Sequence, residues 1–210
     1  MKKIISTGII LISTTLFGFE NIENKVNKEF DKDSLRTSFI IQVNDKDINL
    51  KIDNSYKGKN KFNSNSFHVG LDYLHIEKEH SNLKENSFMI STPFYYKGNI
   101  TKNLSNTLGM SLNIIDNSDF ITAGFNLGLE YKLPIKETTV KLLTNIDYSP
   151  KILSFNNAEE LINFNTSASI EVIKNRANII FSYKYISIDT EEKNNIKYNE
   201  YGYAGIEFIF

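Results

Sequence analysis

The chain has 210 residues, 40% of them hydrophobic, with no cysteine and a formal charge of -1. It is long enough to bury a sizeable core. A mean hydropathy of -0.31 excludes a helical membrane protein, and the near-zero charge argues against nucleic acid as a partner, which calls for a basic patch or stripe. Lack of cysteine removes disulfides, thiolate metal sites, a cysteine nucleophile and the lipid-modified cysteine of a bacterial lipoprotein.

The first stretch, MKKIISTGIILISTTLFG, has two lysines, an apolar run from Ile4 to Phe17 and a small residue at Gly18. This is the plan of a secretory signal peptide over residues 1–18, and the run is too short to span a membrane as a helix. Residues 19–34 are charged and aperiodic for most of their length and read as an N-terminal leader.

From Leu35 onward the pattern changes to period two, the mark of strands with one apolar face. RTSFIIQV is the first candidate strand; DINLKIDN follows, with Ile48, Leu50 and Ile52 opposite Asn49, Lys51 and Asp53. FHVGLDYLHI sets Phe67, Val69, Leu71 and Tyr73 against His68, Gly70, Asp72 and Leu74, and SFMISTPFYY sets Phe88, Ile90, Phe94 and Tyr96 against Ser91 and Pro93. Pro93 weakens the expectation for the end of that strand, because proline has no N–H for a ladder. The cleanest alternation lies in NTLGMSLNII and FITAGFNLGLEY, separated by the polar turn DNSD. TVKLLTNIDY, LINFNTSASIEV, NIIFSYKYIS and a last strand from Tyr198 to Phe210 complete ten candidates. The linkers alternate between two ends: NDKD, EKEHSNLKEN, DNSD, SPKILSFNN and DTEEKNNIK at one, NSYKGKNKFNSN, KGNITKN, PIKE and KNRAN at the other.

Period two alone does not separate a soluble sandwich from a membrane barrel. The positions opposite the apolar set decide the expectation. They are mostly Gly, Ser, Thr and Asn, with charges of both signs that include Glu130, Lys141, Asp147, Glu171, Lys184 and Glu207. Small residues and pairable charges suit a narrow lumen better than a face in bulk water. Tyr73, Tyr95, Tyr96, Tyr131, Tyr148, Phe208 and Phe210 fall near strand ends, where they would form aromatic girdles. The fold expected is therefore all-β: an antiparallel transmembrane β-barrel over residues 35–210, of ten strands, or eight if the first two segments pack elsewhere.

Two stretches resemble known proteins. YAGIEFIF looks like the terminal signature of bacterial outer-membrane barrels, with Tyr203, Gly205, Phe208 and Phe210 in its places. The resemblance implies a Gram-negative cell outer membrane as location and the barrel-assembly machinery as partner; Tyr203 stands where a polar residue is commoner. Residues 148–190 resemble the YfaZ-type outer-membrane proteins through Tyr148, Pro150, Lys151, Leu153, Tyr183, Lys184, Tyr185 and Ile186, with Ser182 and Lys184 in place of glycine and arginine. That family implies a location and a porin-like fold without an assigned chemistry.

The chain offers few constellations for chemistry. His68, His75 and His80 are the only histidines; the first two have opposite parity on one strand, so a preformed metal site is not expected, and HIEKEH reads as a solvated charged loop. A serine hydrolase would pair His75 with Ser66 or Ser91, with nothing in the sequence to set that register. No phosphate-binding glycine loop or paired-carboxylate signature is present. SPKILSFNNAEEL carries Ile152, Leu153 and Phe155 past a strand end, either folded back over the rim or as a contact surface for lipid or a partner. The expectation is an outer-membrane barrel of structural or minor pore-like role, embedded in lipid, without catalytic, cofactor or metal residues. The rivals are a soluble periplasmic barrel binding an apolar ligand and a lipid-modifying barrel enzyme.

Overall fold

The computed structural model describes residues 35–57, 65–77, 86–116, 120–135, 138–191 and 196–210; the expected signal peptide and leader lie outside them. The alternating segments become strands β1 (Leu35–Val43), β2 (Ile48–Lys57), β3 (Ser66–Ile76), β4 (Ser87–Asn99), β5 (Leu104–Ile115), β6 (Phe120–Ile135) and β7 (Thr138–Ser149). A short β8 (Ser154–Asn156) precedes β9 (Ala158–Ile173), β10 (Ala177–Thr190) and β11 (Ile196–Ile209).

The ten long strands form one closed antiparallel barrel. Each pairs with the next along the chain, β7 pairs directly with β9, and β1 closes the ring on β11 from Ser38 opposite Ile209 to Val43 opposite Ala204. The eight-strand alternative falls away because β1 and β2 are both members of the ring. Closure satisfies strand edges that an open sheet would leave unpaired. It reaches the final residue: Phe210 N donates to Thr37 O at 2.9 Å, and Thr37 N donates back to Phe210 O at 3.2 Å.

Pro93 does not end its strand. β4 runs on to Asn99, and its pairing with β3 keeps one register on either side of the proline, from Val69 opposite Phe94 to Asp72 opposite Ser91. The ring has room because Gly70 lies across from it: a Cβ on Gly70 would stand 3.0 Å from Pro93 Cγ. The SPKIL segment likewise does not fold back over the rim. After Ser149 the chain makes a single 3-10 turn, Lys151–Leu153, and rejoins β6 as β8, with Ser154 opposite Thr122 and Asn156 opposite Phe120. Ile152 is 84% exposed and Phe155 53%, so neither holds the segment down.

The two faces differ in kind. Outward positions form a belt of exposed apolar side chains, among them Ile41, Ile52, Phe94, Leu108, Met110, Phe125, Leu129, Leu142, Ile170, Phe181 and Phe208. Inward positions are largely polar and buried: Gln42, Asn49, Ser91, Thr107, Asn113, Thr122, Asp147, Ser169, Asn178 and Lys184. Tyr95 is a correction to the girdle expected from the sequence. It is inward, stacked on His68 with ring centroids 4.5 Å apart, while Tyr96 beside it is exposed outward.

Candidate functional site

The barrel interior is the candidate site, and it changes character along its length. The connections β1–β2, β3–β4, β5–β6, β7–β9 and β10–β11 define one end, termed the loop end; Leu35 and Phe210 lie at the other, the termini end.

At the loop end the interior is apolar. Leu74, Ile76, Met89, Ile115, Leu161, Ile186, Ile188, Tyr198 and Tyr203 form one buried cluster. A β-bulge between β10 and β11 at Ile186 and Ser187 adds the residue Tyr198 to the β11 side, and its side chain is fully buried. A buried phenol needs a partner. Tyr198 OH lies 2.9 Å from Phe88 O and 3.0 Å from Asp116 Oδ1, and Tyr203 OH donates to Asp47 Oδ2 at 3.1 Å. Asp47 also accepts from Glu77 N at 3.0 Å, so one carboxylate ties the β1–β2 turn, the end of β3 and β11 together.

Below this plug the wall is braced by polar pairs. Lys184 Nζ lies 3.3 Å from Asp72 Oδ2, and Asn49 donates to the other carboxylate oxygen. Gln42 Nε2 donates to Ser182 Oγ at 2.7 Å, and Asp147 is held by Ser111 and Asn113. Buried charges persist only when paired and hydrogen-bonded in this way.

Toward the termini end the interior widens into a cavity of about 270 Å³. Its lining includes Arg36, Lys51, Lys57, Lys97, Lys132 and Lys141, against the carboxylates Asp53, Glu130 and Glu207. Lys97 binds Glu130 at 2.5 Å, and Lys132 reaches the other oxygen at 3.4 Å. Six cations against three carboxylates leave the cavity cationic.

One wall of this cavity holds a hydrogen-bonded chain. Ser66 Oγ lies 2.7 Å from His68 Nε2, and His68 Nδ1 lies 2.7 Å from Asp53 Oδ2. Ser66 and His68 alternate on β3, and Asp53 comes from β2. The Tyr95 ring covers the imidazole at an interplanar angle of 10°, and its hydroxyl sits 3.4 Å from Asp53. Strand register puts Lys57 across from Ser66 on one side and Lys97 on the other, and both lysines line the cavity.

The sequence-predicted residues distribute as follows. Glu130, Lys141, Lys184, Asp147 and Glu207 have their side chains inside, the first two and Glu207 on the cavity and Asp147 and Lys184 buried in the wall network. Glu171 is engaged at the rim, where its Oε1 accepts from Asn175 N at 2.7 Å. Of the C-terminal set, Phe208 and Phe210 are exposed, and Tyr203 is a plug residue. Gly205 sits on the closing seam, where a Cβ would stand 2.0 Å from Ile41 O. His75 points away from His68 and Ser66, opposite Phe88, and Ser91 is bonded to Asn113, so the pairings of His75 considered from the sequence do not form. His80 lies outside the described residues. Among the described residues no group of three or more His, Cys, Asp or Glu is placed to hold a metal ion.

A scan against protein families finds no matching family model, and a search of curated proteins finds no match. Function therefore rests on the geometry of this chain. The Ser66–His68 step was open to sequence reasoning, since period two puts both on one face. Asp53 was not, because only the β2–β3 register brings it to the imidazole.

Proposed function

We propose that this is an outer-membrane β-barrel protein of structural role whose lumen is closed at the loop end. The observation that carries the reading is the inversion of its faces: a closed cylinder with polar, charged residues inside and a continuous apolar belt outside. A soluble barrel that binds an apolar ligand needs the opposite arrangement, and contiguous apolar surface on this scale is unfavourable in water. The resemblance of the C-terminal YAGIEFIF to outer-membrane barrel termini, and of residues 148–190 to YfaZ-type proteins, agrees with this location. Lipid would then surround the belt, and the exposed Ile152 and Phe155 would extend it beside β6.

The apolar plug argues for a structural rather than a conducting barrel. Nine buried side chains fill the loop end, and a ten-stranded wall is narrow enough for side chains to close it. Fractionation tests the location: the protein is expected as a heat-modifiable band in outer membranes, and recovery in the osmotic-shock fraction would overturn it. Planar-bilayer recording tests the plug, with no conductance steps expected from the intact chain. If a chain lacking Phe210 still assembles normally, the terminal residue has no part in targeting.

A further inference from the structure

We propose that Ser66, His68 and Asp53 form a nucleophile site inside the barrel that hydrolyses small esters carrying a negative charge. The hydrogen bonds have the polarity that a serine nucleophile requires: the serine on Nε2 at 2.7 Å and the carboxylate on Nδ1 at 2.7 Å. The chain is not a solvent-exposed coincidence. Ser66 and His68 are both buried, yet both line the cavity, so the hydroxyl faces a partly open space of about 270 Å³. That volume is at the small end of ligand sites, which limits the substrate to a short acyl chain.

The surrounding charge selects the class. Lys57 and Lys97 are the cross-strand neighbours of Ser66, in contact range of whatever the hydroxyl attacks. Lys97 and Lys132 are committed to Glu130, so Lys57 is placed to stabilise an oxyanion while Arg36 on the same cavity holds the substrate's anionic group. Asp53 is a positioning residue: its hydrogen bond to Nδ1 fixes the imidazole tautomer and orientation.

In the reaction, Ser66 Oγ bonds to the ester carbonyl carbon as its proton passes to His68 Nε2. The bond from that carbon to the alcohol oxygen then breaks, and the alcohol leaves with the proton from His68. Water, activated by His68, attacks the acyl-serine; its proton passes through His68 to Ser66 Oγ as the acid departs. One ester and one water give one acid and one alcohol.

The test uses the full chain refolded in detergent micelles, with variants checked for the same heat-modifiable shift, so its outcome does not depend on where the protein resides. Diisopropyl fluorophosphate is expected to phosphorylate Ser66 with loss of fluoride, located by peptide mass mapping, and Ser66→Ala to abolish that label. 4-Nitrophenyl hemisuccinate is expected to be cleaved at least about tenfold faster in kcat/KM than 4-nitrophenyl acetate, with His68→Gln losing roughly 10²–10⁴ of the rate. Asp53→Asn is expected to lower kcat by at least roughly a hundredfold while KM stays within about twofold, a split that a merely structural carboxylate would not produce. No label on Ser66 in folded protein, or equal hydrolysis by wild type and Ser66→Ala, would overturn the site. Faster cleavage of the acetate would overturn the anionic class.

Discussion

Replacing Gly205 by alanine isolates what holds the barrel closed. Gly205 faces inward on β11 opposite Gln42 of β1, and a Cβ there would stand 2.0 Å from Ile41 O and 2.7 Å from Gln42 Cα. Both obstacles are backbone, so no side-chain rotation relieves the clash; β11 must move off β1 by about 1.4 Å to reach ordinary contact distance. Overpacking of this kind costs about 1–3 kcal/mol, and loosening two ladder hydrogen bonds on the seam adds about 1 kcal/mol each. Alanine returns about 0.5–1 kcal/mol relative to glycine within a strand, leaving a net loss of about 3 kcal/mol. Gly202, three residues earlier on β11, supplies the control: its added Cβ meets only Ser182 O, at 3.7 Å. With a urea slope of about 1–3 kcal/mol per molar, Gly205→Ala lowers the unfolding midpoint in detergent by about 1–3 M, whereas Gly202→Ala leaves it unchanged or slightly raised. Equal midpoints for the two variants would refute a close-packed seam.

Other parts of the molecule give sharper contrasts. Leu127→Lys, on the exposed face, is expected to cost about 2–4 kcal/mol near a bilayer midplane and nearly nothing in water, so its urea midpoint in lipid vesicles distinguishes lipid from solvent around the belt. Lys184→Met strands the Asp72 carboxylate and is expected to destabilise by about 3–5 kcal/mol, while the double variant with Asp72→Leu recovers most of that loss, because the pair is removed together; chemical denaturation of the two variants beside the wild type reads both. Tyr198→Phe deletes the hydroxyl shared by Phe88 O and Asp116 and is expected to cost about 1–3 kcal/mol, with bilayer recordings still silent because the ring remains in the plug.

Strand identity was legible because period two is a local property. The alternation in NTLGMSLNII and FITAGFNLGLEY reappears as β5 and β6, paired from Leu104 opposite Tyr131 to Ile115 opposite Phe120. The plug was half legible. Runs such as FMI, NII and YISI break the alternation with apolar residues at inward positions, and Met89, Ile115, Ile186 and Ile188 are the inward members of those runs. Tyr95 was misplaced because adjacent aromatics, Tyr95 and Tyr96, look alike in sequence while strand parity sends one in and the other out.

The sequence by itself determined where the ten long strands lie, which alternate side chains share a face and which connections share an end, since a strand's side-chain parity depends only on its own backbone. Tertiary structure alone decided what those faces meet. Register along β2, β3 and β4 brings Asp53 to His68 and sets Lys57 and Lys97 beside Ser66. Closure of β1 on β11 turns Gly205 from a motif residue into a position where an added Cβ would run into the β1 backbone. Contacts between residues far apart in the chain depend on how separate strands slide past one another, and a one-residue slip exchanges every partner.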